Sequence, residues 1–115
     1  MEQPVYPKAS KEMTQQRKEL APDISAAFQS FSRQVFADGA LPAKTKELIA
    51  VAVAHVTQCP YCIRSHTKRA KLKGATGQEI MEAIWVAAEM RAGATVAHSA
   101  LAIDTLNQED GTPAV

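Results

Sequence analysis

The sequence predicts an all-α fold, a helical bundle of about six helices. Three observations carry this reading. Apolar residues recur at intervals of three and four, residues that start and stop helices separate those stretches, and no alternating run bounded by turn residues reads as a strand.

The elements follow in order. From about Ser10 to Leu20 the chain is polar, with Met13 and Leu20 on one side, and reads as a surface helix. After Pro22, Asp23 caps a second helix with Ile24, Phe28, Phe31 and Val35 on one stripe and Gly39 as its stop. Pro42 opens a third, which runs through Leu48, Ile49, Val51, Val53 and Val56 to about Gln58 and, being apolar on most sides, belongs at the centre. Pro60 restarts the helix with Cys59 as its cap, and Gly74 closes it after a basic last turn that suits the negative end of the dipole. Thr76 and Glu79 make a capping box for a helix through Ile80, Ile84, Trp85 and Ala88 to about Arg91, which Gly93 breaks or bends. The sixth, from about Ala94 to Leu106, is apolar over more than one face, and one of those faces suits an oligomer contact. Trp85 and the two Phe of the second helix stand at core spacing and are assigned to filling volume. Both ends, residues 1–9 and 107–115, read as loose.

At 115 residues the chain has the size of one domain, 1–115. Apolar residues make up 46% but aromatics only 5%, so the core is thin and self-association would add to the buried area. The formal charge of +1 offers no field for nucleic acid or anionic lipid. No apolar run approaches the ~20 residues that span a bilayer, and residues 1–10 have no signal-like stretch, so a cytoplasmic location is expected. Both cysteines lie within four residues of each other, unlike the spread of a small secreted disulfide scaffold, which points to redox chemistry or metal binding.

Cys59 sits at a helix N-terminus, where the dipole stabilises a thiolate. Cys62, in the first turn of the same helix, can close a disulfide with it at little backbone cost. His66 lies four residues past Cys62 on the same face, within reach of the thiol proton, and is the natural general base. The helix before it returns antiparallel past a short loop, which would bring Glu47 toward the dithiol, where a carboxylate could orient His66. His55, eight residues past Glu47 and four before Cys59, is the second histidine candidate. Each residue has a plainer rival: two small buried cysteines, satisfied histidines, a solvated first-turn glutamate. His98 is assigned to core or interface. The basic cluster Arg64, Lys68, Arg69, Lys71 and Lys73 is a solvated face or a dock for an acidic partner. His55, Cys59, Cys62 and His66 also form a possible tetrahedral zinc set, H-x3-C-x2-C-x3-H, though zinc fingers space their ligand pairs more widely.

The stretch L-P-A-K-T-K-E-L-I-A-V-A-V-A-H-V-T-Q-C-P-Y-C-I-R-S-H, Leu41 to His66, resembles the alkyl hydroperoxidase D-like (AhpD-like) branch of the carboxymuconolactone decarboxylase family. The resemblance continues through K-L-K-G-A-T-G-Q-E-I-M-E-A-I-W-V-A-A-E-M-R-A-G-A and covers a core of about 28–106, with E-x11-C-x2-C-x3-H as its signature. It implies an all-α AhpD-like bundle that assembles as a trimer or a hexamer (dimer of trimers). It also implies a thiol-dependent peroxidase in antioxidant defence: Cys59 and Cys62 as redox pair, His66 as base, Glu47 completing the relay. That family's best-known pattern places a histidine between the cysteines, where this chain has Pro60 and Tyr61, so the second histidine, His55 or none, stays open. Members that decarboxylate γ-carboxymuconolactone lack the dithiol, so the cysteines argue against that activity.

The reaction expected from this resemblance needs no cofactor. A hydroperoxide substrate oxidises one thiolate to a sulfenic acid, the other thiol condenses with it, and a dithiol reductant or redox partner protein restores the pair. The dipole favours Cys59 as the attacking sulfur, and the register with His66 favours Cys62, which is preferred. Two alternatives remain: reduction of another protein's disulfide, and a non-catalytic zinc-binding or redox-sensing interaction module.

Overall fold

The computed structural model describes residues 5–108, and among them it contains five α-helices and no strand. They are α1 Lys11–Leu20, α2 Pro22–Phe36, α3 Ala43–Thr57, α4 Pro60–Leu72 and α5 Gly77–Leu106. The chain is all-α as expected, with five helices in place of about six. The two expected after Thr76 are one 30-residue helix that runs through Gly93. A glycine costs a helix interior only about 1 kcal/mol, and the residues on either side are good helix formers, so hydrogen bonding continues across it.

Local chemistry sets the boundaries. Ser10 caps α1 by accepting from the Met13 N–H at 3.1 Å. Asp23 lies in the first turn of α2 but is not its cap; Ala21 holds that position without a side-chain bond, and Pro22 supplies the preset φ. The α2 helix ends at Phe36, ahead of Gly39. Pro42 stands one residue before α3 rather than in it, and the Ala43 N–H is satisfied by Asp38 Oδ1 at 2.6 Å. Gln58 stops α3 in the left-handed conformation (φ 58, ψ 48), which lets Pro60 begin α4 two residues later. Gly74, at φ +94, turns the chain after α4. Thr76 and Glu79 form the capping box of α5, and Lys44 pairs with Glu79 at 2.8 Å across the α3–α5 contact.

Helix α3 is central, packing on α2, α4 and α5, while α1 packs on α2 alone. The small core is built on Val51, Ala70 and Ala75, with Leu48, Ile80 and Ile84 packed against it. Of these, Val51 is the largest side chain fully removed from solvent. Beyond this body the molecule is open: its radius of gyration is 20.1 Å, where a compact chain of this length would have about 13 Å. The α1–α2 arm and the half of α5 beyond Arg91 account for this. Trp85, Phe28 and Phe31 do not fill a core within the chain. They are 68%, 58% and 65% exposed, because among the described residues no element folds over the faces that carry them. The N-terminal segment is not loose throughout: Tyr61 donates its hydroxyl hydrogen bond to the Pro7 carbonyl at 2.7 Å, and Tyr6 packs edge-on against the same ring. Residues 1–4 and 109–115, also expected to be loose, lie outside the described residues. No helix among those described is long and apolar enough to cross a membrane.

Candidate redox site

The junction between α3 and α4 assembles the site. Gln58 and Cys59 are the only residues between the two helices, so α4 doubles back along α3 and its first two turns lie beside the middle of α3. Cys59 is the N-cap of α4, its sulfur accepting from the Cys62 backbone N–H at 3.3 Å, and Pro60 opens the first turn. The two sulfurs stand 2.8 Å apart as free thiols.

They do not share a proton evenly. Cys59 is held below the usual thiol range, first by the S–H of Cys62 and then by the Cys62 backbone N–H. Cys62 is pushed up, because its proton serves Cys59, it is partly buried, and a second negative charge so close is unfavourable. The pair therefore has one acidic member, Cys59, and one that keeps its proton.

One turn beyond Cys62, His66 meets the carboxylate of Glu47 from α3, with Nδ1 3.1 Å from Oε1 and 3.3 Å from Oε2. Glu47 is 3% exposed, and His66 is its hydrogen-bonding partner. A carboxylate so deeply buried needs such a donor. The bond fixes Nδ1 as the nitrogen that donates, and leaves Nε2 to exchange protons. The face of the same imidazole stacks on Phe36 at the end of α2, with ring centroids 5.1 Å apart and planes at 26°.

Cys62 and His66 open onto an apolar groove of about 420 Å³, lined also by Val35 and Phe36 of α2 and by Ile49 and Val53 of α3. Phe36 borders a second cleft as well, of about 520 Å³, which holds Glu47 with Arg33, Arg69 and Lys73.

Of the residues singled out in the sequence, Cys59, Cys62, His66 and Glu47 come together. His55 does not join them through any hydrogen bond: its Nδ1–H donates to the Val51 carbonyl one turn back at 2.7 Å, which turns the ring onto its own helix. The zinc arrangement is not assembled either. Among the described residues no group of three or more His, Cys, Asp or Glu side chains is placed to hold a metal ion, so His55, Cys59, Cys62 and His66 do not form a tetrahedral set. Sequence reasoning missed Phe36. Its signal was a large aromatic directly after Val35, off the stripe of Ile24, Phe28, Phe31 and Val35 and so directed elsewhere.

Residues 22–105 match the model of the carboxymuconolactone decarboxylase family. The chain belongs to this family. A curated relative in Paracoccus denitrificans, described as uncharacterized protein 4 in the cox locus, is 62% identical over 88 residues, 76% of this chain and 79% of its own. An uncharacterized protein of Cupriavidus necator is 40% identical over 89 residues, 75% of this chain and 79% of its own. Among solved structures, a carboxymuconolactone decarboxylase family protein from Legionella pneumophila, crystallised in its apo form, superposes with a TM-score of 0.65 at 35% identity. That match covers 82% of this chain and 87% of the other.

Proposed function

We propose that the chain is a cytoplasmic thiol-dependent peroxidase of the AhpD-like branch, with Cys62 as the attacking sulfur, Cys59 as the resolving one, and His66 and Glu47 as the proton relay. The observation that carries the reading is that one apolar groove is lined both by Cys62, paired with Cys59, and by the His66 imidazole, paired with a buried carboxylate. Both Cys62 and His66 line the groove where an organic hydroperoxide would lie, whereas the acidic Cys59 stands outside its lining.

His66 Nε2 takes the Cys62 proton as the sulfur attacks the terminal peroxide oxygen. The S–O bond forms, the O–O bond breaks, and the departing alkoxide receives the proton from the imidazolium, so that an alcohol and a Cys62 sulfenic acid result. Glu47 holds Nδ1–H throughout and stabilises the imidazolium. The Cys59 thiolate then attacks the sulfenic sulfur, and a proton leaves with the hydroxide as water. Two electrons from an external dithiol reductant or redox partner protein reopen the disulfide.

Peroxide consumption with a dithiol reductant tests this. Cys62→Ser is expected to abolish turnover. Cys59→Ser, with the reductant left out, should consume one equivalent of peroxide and keep a sulfenic acid that dimedone traps. His66→Ala should lower the rate by about a hundredfold or more. Equal rates across the set would eliminate the mechanism.

One observation favours a second use of the same pair. The acidic thiol is the one outside the groove, which suits exchange with another protein's disulfide. Reduction of a disulfide substrate without peroxide consumption would select that use. The exposed apolar faces further support assembly of several copies, as the trimer or dimer of trimers expected for this branch; sedimentation or light scattering gives the number directly.

A further inference from the structure

Resting on the peroxidase reading, we infer that Phe36 is a positioning residue for the proton relay: it holds the His66 imidazole by its face while Glu47 holds it by its edge. A histidine side chain on a helix has two rotatable bonds, and a single hydrogen bond at Nδ1 still lets the ring swing about that contact. The hydrogen bond from Nδ1 to Glu47 fixes where the edge points, and the stack on Phe36, at 5.1 Å and 26°, fixes the plane. With both, Nε2 has one direction left to it.

Phe36 is itself held for this purpose. It is the last residue of α2, and the corner that follows is tied to α3 by two bonds. Lys46 Nζ donates to the Ala37 carbonyl at 2.6 Å, and the Ala43 N–H donates to Asp38 Oδ1 at 2.6 Å. These anchors lie on the same helix as Glu47, so the face and the edge of the imidazole are both referenced to α3. The side chain is not there to fill the core, since it borders two open clefts, one holding Glu47 and the other Cys62 and His66. Its π face is what the imidazole uses, and an aromatic pair of this kind contributes beyond the area it buries.

The test uses Phe36→Leu and Phe36→Met, which keep an apolar side chain of similar bulk but remove the ring, and Phe36→Tyr, which restores it. In a Cys59→Ser background Cys62 is the only thiol, so its alkylation by iodoacetamide reports how well His66 draws its proton, without any peroxide. Leu and Met are expected to slow alkylation about three- to tenfold, and Tyr to return it to the starting rate. In the same proteins the His66 ring protons, assigned by their loss in His66→Ala, should lose the upfield displacement caused by the Phe36 ring in Leu and Met and keep it in Tyr. If His66→Ala slows alkylation while Phe36→Leu and Phe36→Met leave it and the ring-proton shifts unchanged, the inference falls and the relay stands. If His66→Ala leaves the rate unchanged, the relay itself fails and this role of Phe36 falls with it.

Discussion

A carboxylate buried like that of Glu47 is costly unless its partner stays in place, so the Glu47–His66 pair couples chemistry to stability. Glu47→Gln keeps a hydrogen-bonding group but loses the charge that supports an imidazolium. It is expected to lower peroxide turnover about ten- to a hundredfold with little change in melting, whereas His66→Ala should also destabilise the fold by about 1–3 kcal/mol, read by urea titration. The sulfurs give a pH signature. Cys59 is shifted down and Cys62 up, so alkylation followed by mass spectrometry should show Cys59 reacting at a pH where an ordinary thiol is slow, and Cys62 only at higher pH. In stability the two oppose each other. The lowered Cys59 contributes above its unfolded value and loses that contribution as pH falls through its folded value; the raised Cys62 contributes below its unfolded value and loses it as pH rises through its folded one. Helix register and one short loop bring four of the five site candidates together, and both features can be read from the chain. His55 is not hydrogen-bonded to them: spacing along a helix says nothing of a rotamer that bonds its own backbone. The Phe36 stack depends on the angle at which α2 arrives, which no local pattern encodes.

Among the elements, the starts of α4 and α5 were read most closely, while α2 begins ahead of the expected cap Asp23 and α3 one residue after Pro42. Cys59 ahead of Pro60 and the Thr76–Glu79 box cap their helices where the sequence placed them. Ends varied: α2 stops at Phe36 rather than at Gly39, whereas α3 ends where expected, at Gln58, in a left-handed conformation with no glycine to hold it. A β-branched residue tolerates that backbone poorly, so Gln58→Val should cost about 1–2 kcal/mol and weaken the junction that presents the dithiol, measured as a lower melting temperature. Gly93 is the opposite case. It sits inside a continuous helix, and an added Cβ would approach only the movable carboxylate of Glu89, at 3.4 Å. Gly93→Ala is therefore expected to stabilise the chain by about 0.5–1 kcal/mol, seen as a raised thermal midpoint.

At the scale of the whole molecule, the all-α class was readable from periodicity, but the shape was not. An apolar stripe is the same whether it is met by its own chain or by another copy, and that ambiguity placed Trp85, Phe28 and Phe31 in a core the single chain does not build. Leu101 on the far half of α5 is 68% exposed and Leu106 82%. On the assembly proposed above, charging this face, for instance with Leu101→Glu, should lower the oligomer number in sedimentation while leaving Cys59 and Cys62, at the α3–α4 junction, able to form their disulfide. The 30-residue α5 is about 45 Å long, and beyond Arg91 all of its residues except Gly93 are exposed. On the assembly proposed above, a helix so exposed is stabilised by contact with other copies, so the melting temperature should climb with protein concentration. For this chain, thinning the solution would act like adding urea.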